Sequence, residues 1–388
     1  TETSVARGKN YLVREILAGR QEFTREMGEI IGKCLLCKRC VVNCPSKTQI
    51  DRVVVGARAE MVSKKGLGAI KNFAFRKVMA NRKAFGNYVK LAKAFQWLLP
   101  KTEGKIRHLP DFLKALGQGR NIPALADKFL RDIVKPVYKP QNGEKPKMRV
   151  GYFMGCATDF IYPELGLKFI DFLTKRGIEV VVPESQSCCG AAMYFSGDVE
   201  TGRLQAEKNI GAFKDVDYVV TACGTCSSTL KDYQKYLPDT EDQKKRYEEF
   251  EKKVKDSMEF IIDVMKVKPE ELTLKKEFEG KTVTWHDPCH LVRYQNIKDQ
   301  PRAILKGLKG LKYVEMPNAD LCCGMGGSFS VYHYDLTKKI ADKKMAGIKA
   351  TNADIVVTAC PGCMVNLTDN VLQNKMPQKV YHLLELVE

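Results

Sequence analysis

The sequence lacks the features that mark secreted and membrane-spanning proteins. Its 388 residues contain no run of 18 or more apolar residues, and no positively charged start leads into an apolar core and a small-residue cleavage site. We therefore expect a cytoplasmic protein, unless an export signal was removed before Thr1. A peripheral contact with the inner face of the cytoplasmic membrane stays open.

The sequence also lacks a dinucleotide-binding motif. No Gly-x-Gly-x-x-Gly stretch follows a predicted strand, so we expect no flavin or nicotinamide site in this chain. Gly324, Gly326 and Gly327 resemble a phosphate loop at first sight. Because they directly follow two cysteines, we interpret them as glycines that let the backbone come close to a bound metal cluster.

Acidic residues are under-represented. The chain carries 64 Lys and Arg against 46 Asp and Glu, a formal net charge of +18. Much of the excess lies between Lys64 and Arg149. A charge of this sign predicts an acidic partner, an anionic membrane surface or a nucleic acid, and we expect no nucleic acid here.

Cysteine, by contrast, is abundant, with 14 residues. Disulfides would be poor chemistry in a reducing cytoplasm, and two Cys-Cys pairs adjacent in sequence argue against them further. The first four form C-x2-C-x2-C-x3-C-P, the bacterial ferredoxin pattern, which predicts a [4Fe–4S] cubane rather than zinc. They are Cys34, Cys37, Cys40 and Cys44. Either all four close one cubane, or the fourth serves another cluster whose upstream motif is missing.

The remaining ten cysteines form two copies of a five-cysteine pattern. Matched cysteines lie 133 to 137 residues apart, which indicates an internal duplication. Four of them directly follow predicted strands, where open α/β sheets present ligands, so each set can converge. The first set is Cys156, Cys188, Cys189, Cys223 and Cys226, and the second is Cys289, Cys322, Cys323, Cys360 and Cys363.

We predict an α/β protein of four parts. Residues 1–62 form an α-helical ferredoxin-like domain, 63–147 a basic helical connector, and 148–275 and 276–388 two cysteine-rich α/β domains with parallel sheets. In the connector an apolar stripe at helical spacing ends at Pro100, with Lys83, Lys90 and Lys93 off it. The stripe consists of Phe85, Tyr88, Val89, Ala92, Phe95 and Leu99.

The cysteine pattern resembles the cysteine-rich "CCG" family of iron–sulfur subunits. Its members include subunits of heterodisulfide reductases, of glycolate and lactate dehydrogenases, and of anaerobic glycerol-3-phosphate dehydrogenase. The sequence around the cysteines is most similar to the 2-hydroxyacid dehydrogenase branch, for example in His286-Asp-Pro-Cys289-His and Thr358-Ala-Cys-Pro-Gly-Cys363. The 33 residues between Cys189 and Cys223 are slightly fewer than the family's usual 35 or 36.

The resemblance implies cofactors and partners. It implies two noncubane [4Fe–4S] clusters beside the cubane, and an FAD-containing dehydrogenase or electron-transfer flavoprotein as the source of electrons for a quinone or other acceptor. A second iron–sulfur or membrane subunit also fits. Because both five-cysteine sets are complete, a heterodisulfide-reductase-like subunit that splits a disulfide is the alternative.

Two histidines flank Cys289. His286 and His290 could donate hydrogen bonds to a cluster sulfur or move a proton near it, and an ordinary structural role is the alternative.

Overall fold

The computed structural model describes residues 2–102, 106–108, 119–237 and 239–388. The connector predicted for 63–147 therefore falls partly outside the described residues. Within them, no helix has the length and apolar character needed to cross a membrane.

The N-terminal part is helical, as predicted. Thr24 caps its second helix by accepting a hydrogen bond of 3.2 Å from the Met27 N–H. The ferredoxin-type cysteines lie between the second and fourth helices. The segments are the 3-10 turn Glu2–Ser4 and the α-helices Ala6–Leu17, Arg25–Gly32, Arg39–Val42 and Ile50–Lys65.

The connector is not wholly helical, because it contains a two-stranded antiparallel ribbon of β1 and β2. The ribbon lies on the second cysteine-rich half, where the Asn121 N–H donates to the Asp369 carboxylate at 2.7 Å. The connector comprises helix Ala69–Asn72, the π-helical segment Phe73–Met79, helix Arg82–Phe95, the 3-10 turn Gln96–Leu98, β1 (Ile106–His108), β2 (Asn121–Pro123) and helix Leu130–Ile133.

The first cysteine-rich half is built on a five-stranded sheet of order β3-β5-β4-β6-β7, parallel except for β3. Its strands are β3 (Val137–Tyr138), β4 (Arg149–Tyr152), β5 (Glu179–Val181), β6 (Tyr218–Thr221) and β7 (Val254–Asp256). Its helical segments are Cys156–Phe160, Pro163–Lys175, Ala191–Phe195, Val199–Ala212, Gly224–Lys231, Tyr233–Tyr236, Glu241–Lys253, Ser257–Glu259 and the π-helical Phe260–Val264.

The second half has a fully parallel four-stranded sheet of order β11-β10-β8-β9. Its strands are β8 (Thr282–Trp285), β9 (Lys312–Val314), β10 (Ile355–Thr358) and β11 (Lys379–His382). Its helical segments are the 3-10 turns Pro269–Glu271 and Lys276–Phe278 and the α-helices Cys289–Gln295, Asp299–Gly307, Phe329–Tyr332, Tyr334–Ala350, Pro361–Gln373 and Leu383–Leu386.

The two sheets repeat one topology. The order β5-β4-β6-β7 in the first half corresponds strand by strand to β9-β8-β10-β11 in the second. In both, the first strand lies between the second and third, so the carboxyl ends of the central strands meet at one edge. The duplication read from the cysteine spacing is therefore a duplication of fold.

The predicted boundaries 62/63, 147/148 and 275/276 remain predictions, and contacts cross two of them. β3, in the predicted connector, pairs with β5 of the first half. The Lys275 N–H donates at 2.9 Å to the carbonyl of Leu386 in the second half. Both sheets also contribute to one buried apolar cluster, in which Tyr152 and Trp285 have no exposed surface.

Candidate metal centres

The first five-cysteine set converges at the edge of its sheet. Cys156 follows β4, the Cys188-Cys189 pair follows β5, and Cys223 follows β6. The pKa of the Cys189 thiol lies well below its usual value because the Cys188 and Cys226 thiols donate to it, and Cys226 also contacts Cys223. Cys156 is an exposed residue, but its thiol lies near Cys189, and burial raises the pKa of that thiol to about 12.

The second set converges in the same way. The Cys323 and Cys363 sulfurs are 3.4 Å apart, Cys289 contacts Cys322, and Cys360 contacts Cys363. Gly324 has a φ of +94°, which favours glycine, and its N–H donates to the Cys322 sulfur at 3.4 Å. The glycine thus turns a backbone donor towards a thiol.

Side chains hold the backbone of both cysteine pairs. The Tyr233 hydroxyl donates to the Cys189 carbonyl at 2.8 Å, and the Asn209 amide donates to the Cys188 carbonyl at 3.0 Å. In the second half the Asn366 amide donates to the Cys323 carbonyl at 2.6 Å. These fully buried side chains fix the direction of the thiols.

Three of the four ferredoxin-type cysteines lie near one another, and the fourth has different hydrogen-bond partners. Cys34, Cys37 and Cys40 are electrostatic neighbours, whereas the Cys44 thiol accepts hydrogen bonds from Thr48, which lower its pKa. Burial and the neighbouring Cys322 thiol raise the pKa of Cys37 to about 11. A single cubane held by all four cysteines remains a prediction.

The second-half set is a neighbour of both other sets, and we call this series of neighbours a row with the second-half set in the middle. On one side, Cys37 of the ferredoxin-type set is a neighbour of both Cys289 and Cys322. On the other, Cys360 contacts the Cys223 thiol and lies 3.5 Å from the Thr225 hydroxyl. The tertiary structure therefore orders sites that the sequence presents as separate.

The contact between the ferredoxin-type loop and the second half is specific. The Arg293 guanidinium donates to the Cys37 carbonyl at 3.0 Å, and the Tyr294 hydroxyl donates to the Leu36 carbonyl at 2.6 Å. A Cβ on Gly326 would collide with Leu35. Gly326 therefore serves the approach of this loop, which refines the interpretation that the glycine run serves a cluster in its own half.

The donor sets fit iron–sulfur clusters. All 14 cysteines are free, and most of the ten in the two five-cysteine sets are buried. Clustered thiolates suit iron–sulfur centres, which backbone N–H donors stabilise further. One group in the described part of the chain brings ligand atoms of His286, Cys323 and Cys363 within 4.8 Å of one another, as a metal ion would require.

The two predicted histidines differ in their surroundings. His286 is fully buried, and among the described residues neither ring nitrogen has a hydrogen-bond partner. His290 is hydrogen-bonded at Nδ1 to the Ser228 hydroxyl at 2.7 Å and stacks on Tyr294 with 4.3 Å between ring centroids. His290 therefore joins the two halves, while His286 faces the second cysteine set.

Two of the lysines predicted to form a basic surface are paired with carboxylates within the protein. Lys38 is largely buried, 3.3 Å from the Asp51 carboxylate and over the Tyr294 ring. In helix Arg82–Phe95, Lys83 is exposed, whereas Lys90 pairs with Asp132 of the connector at 3.1 Å. Phe85 and Val89 pack as expected, but Tyr88 and Phe95 are about half exposed.

Comparison with known proteins agrees with the duplication of the cysteine-rich half. The cysteine-rich domain family CCG matches residues 150–231 and 283–368, the two duplicated halves. The chain is 30% identical to the "Probable glycolate oxidase iron-sulfur subunit" of Bacillus subtilis, over 100% of this chain and 88% of that protein. This chain belongs to the CCG family of iron–sulfur subunits. The predicted resemblance is confirmed.

Other relatives are named for different activities. The chain is 34% identical to "Lactate utilization protein A" of Geobacillus kaustophilus over 62% of this chain and 98% of that protein. It is 28% identical to a subunit of the "Fumarate reductase (CoM/CoB)" of Methanothermobacter marburgensis over 97% of this chain and 66% of that protein. A solved structure of a hypothetical Helicobacter pylori protein shares the fold, with a TM-score of 0.53 at 11% identity, covering 97% of this chain and 66% of that one.

Sequence reasoning missed the residues that join the sites. Arg293 and Tyr294 carry no motif, and only their position four and five residues after Cys289 marks them as members of the same short helix. Lys344 was also missed. It is fully buried beside the second set, donates to the Ala319 carbonyl at 2.8 Å, and burial lowers its pKa to about 8.

Proposed function

We propose that this chain is the electron-transfer subunit of a flavin-linked 2-hydroxyacid dehydrogenase of the lactate or glycolate type. The observation that carries the proposal is the row of three cysteine sets, in which Cys360 contacts Cys223 and the Cys37 thiol lies close enough to Cys322 to influence its charge. A hydrolase or a binding module has no use for such a row, whereas an electron carrier requires centres that are close to one another.

The residues of each set have distinct tasks in this proposal. Cys34, Cys37, Cys40 and Cys44 hold a [4Fe–4S] cubane, and each five-cysteine set holds a noncubane [4Fe–4S] cluster. Bound clusters supply sites that gain and lose single electrons. The protein tunes the potential of these sites through N–H donors such as that of Gly324 and through burial.

The row also suggests where partners dock. Cys40 in the ferredoxin-type set and Cys156 in the first-half set are exposed, whereas the described cysteines of the middle set are buried or half-buried. We propose that electrons enter and leave at these two ends. Arg82 donates at 2.8 Å to the carbonyl of Gln186, two residues before Cys188, so the basic helix marks the first-half end for an acidic flavoprotein.

Iron and sulfide analysis of anaerobically purified protein tests the proposal. Three clusters of four irons require roughly 12 irons and as many sulfides per chain. Cys188→Ser and Cys322→Ser should each remove about four irons and one set of spectral signals. Zinc in place of iron, or about four irons in total, would overturn it. Copurification from the native host should bring down a flavoprotein that reduces the clusters with lactate or glycolate.

A second candidate function is thiol–disulfide reduction, favoured by the contact between the two complete five-cysteine sets at Cys223 and Cys360. In a reductase, a substrate sulfur reaches an iron. Titrating the oxidised protein with a thiol would then produce a new paramagnetic species, and a relay produces none. We expect the relay result because the sequence between the cysteines is closer to the hydroxyacid dehydrogenase branch.

A peripheral membrane contact is proposed for the connector. Leu91, Trp97 and Leu98 are each more than half exposed in a strongly basic segment, a combination typical of helices that lie on anionic lipid. Cosedimentation with phosphatidylglycerol vesicles, abolished by Trp97→Ala and Leu98→Ala together, would support this contact. Equal sedimentation of the variant would contradict it.

A further inference from the structure

The two halves carry different residues at a matched, buried position beside their cysteines. Phe153 and His286 each follow the central strand of their sheet and each lie three residues before the first cysteine of their set. Their backbone N–H groups make equivalent bonds of 2.9 Å, to the Val220 carbonyl and to the Val357 carbonyl. Both side chains are fully buried.

The difference has an energetic meaning. A buried imidazole without a hydrogen-bond partner is costly, by about 1–3 kcal/mol, and the first half shows that an apolar ring can fill the place. In the described part of the chain, His286 has no partner at either nitrogen. Its ligand atom lies within 4.8 Å of the sulfurs of Cys323 and Cys363. The hydrogen-bond partner expected for His286 is therefore the cluster that those thiols hold in the proposed function.

The other buried histidines of this half are satisfied by protein atoms. His290 is bonded to Ser228, and His382 Nε2 lies 3.0 Å from the Ala222 carbonyl oxygen. Neither has a buried ring nitrogen that lacks a hydrogen-bond partner among the described residues. His286 is thus distinguished from residues of the same type in the same half.

We propose that His286 donates an N–H hydrogen bond to the cluster of the second half, and that this donor gives the middle cluster a higher reduction potential than its duplicate in the first half. The inference rests on the proposed function, since it presumes a cluster there. In the proposed function five thiolates hold this cluster, which would leave the imidazole the role of donor. A donor to a cluster sulfur stabilises the more negative, reduced form, and Phe153 supplies none to the first half.

Two variants at one position test this with a conservative pair. His286→Phe installs the first half's own residue, and His286→Gln keeps an N–H donor. Potentiometric titration followed by electron paramagnetic resonance should show the second-half midpoint shifted to lower potential in His286→Phe and largely restored in His286→Gln. The other two signals should not move. Signals are assigned with Cys322→Ser, which removes the second-half cluster.

The reciprocal variant is a matched control. Phe153→His places an imidazole in the first half and should raise the midpoint of that cluster alone. Equal second-half midpoints in wild type, His286→Phe and His286→Gln, at full iron content, would overturn the inference.

A measurement on the unaltered chain decides the matter if a variant fails to assemble. In protein labelled with 15N-histidine, the pulsed electron paramagnetic resonance spectrum of the second-half cluster should show a weak nitrogen coupling that differs from that of unlabelled protein. A strong coupling, which signals direct ligation, or no change would overturn the donor role. If unaltered protein lacks a second-half cluster altogether, the proposed function itself fails, which its iron content reveals separately.

Discussion

The guanidinium of Arg293, in the second cysteine-rich half, donates a 3.0 Å hydrogen bond to the carbonyl of Cys37, in the ferredoxin-type loop 256 residues earlier. The same guanidinium pairs with Asp320 at 3.0 Å, and its side chain is only 3% exposed. One side chain thus joins the two cysteine sets at the point where their thiols are neighbours.

Arg293→Met should therefore uncouple the ferredoxin-type set from the middle set. We expect a loss of about 2 kcal/mol in the free energy of unfolding, because hydrogen bonds to a charged group are lost. Electron passage between the two sets should slow while iron content stays full, as measured by rapid-freeze paramagnetic resonance. Arg203→Met, which removes a bond to the Leu237 carbonyl in the first half, is the control. Equal transfer rates in both variants would contradict the coupling role.

Arg58 should hold the N-terminal helices in place. It donates to the carbonyls of Ile31, Gly32 and Cys34 and, at 2.7 Å, to that of Phe195 in the first half. Arg58→Met leaves these carbonyls without their donor, so hydrogen exchange should rise across residues 25–44. About four irons should be lost, and the two five-cysteine sites should keep theirs.

The conservative variant sharpens this test. Arg58→Lys keeps the charge, but an ammonium with three donors in a different geometry cannot reproduce the guanidinium bonds, so we expect an intermediate result. Unchanged exchange in Arg58→Met would show that packing alone holds these helices.

Charge reversal on the basic helix should separate docking from packing. Lys83 is exposed, so Lys83→Glu should slow reduction by an acidic flavoprotein at low salt, with the difference fading as salt screens the charges. Lys90→Glu instead sets a carboxylate beside Asp132 and should cost about 0.5–1 kcal/mol of stability. Lys245→Glu, on an exposed helix of the first half, is the control for net charge. Stopped-flow rates that match the control at every salt concentration would rule out docking at this helix.

Asp256 should make stability fall between acid and neutral pH. The carboxyl is fully buried at the end of β7, and burial raises its pKa to about 7. Because the folded state binds this proton more tightly than the unfolded state, the stabilisation is complete below about pH 4 and is lost as the pH rises through 7.

Asp256→Asn removes this titration while it keeps an oxygen for the 2.9 Å bond from the Met258 N–H. Between pH 5 and pH 8 the natural protein should therefore lose about 1–3 kcal/mol of unfolding free energy relative to the variant. Urea unfolding at several pH values measures it. Parallel curves for the two proteins would mean that Asp256 does not titrate in this range.

The sequence was enough to predict the duplication and an α/β fold with parallel sheets, and to group the cysteines into sets. Ligand spacing is a local property, and alternating strands and helices leave a periodic signal, so Cys289, Cys322 and Cys360 could be grouped without coordinates. The parallel sheets and the placement of these cysteines after β8, β9 and β10 followed from the same pattern.

How these parts meet could be learned only from the three-dimensional structure. Three features depend on residues far apart in sequence: the proximity of Cys37 to the second set, the position of that set in the middle of the row, and the ion pair of Lys90 with Asp132. The same holds for His286. The sequence shows its motif, but only the structure shows that its buried ring has no hydrogen-bond partner among the described residues. Such contacts arise from packing of whole elements, which no local pattern of spacing or polarity encodes.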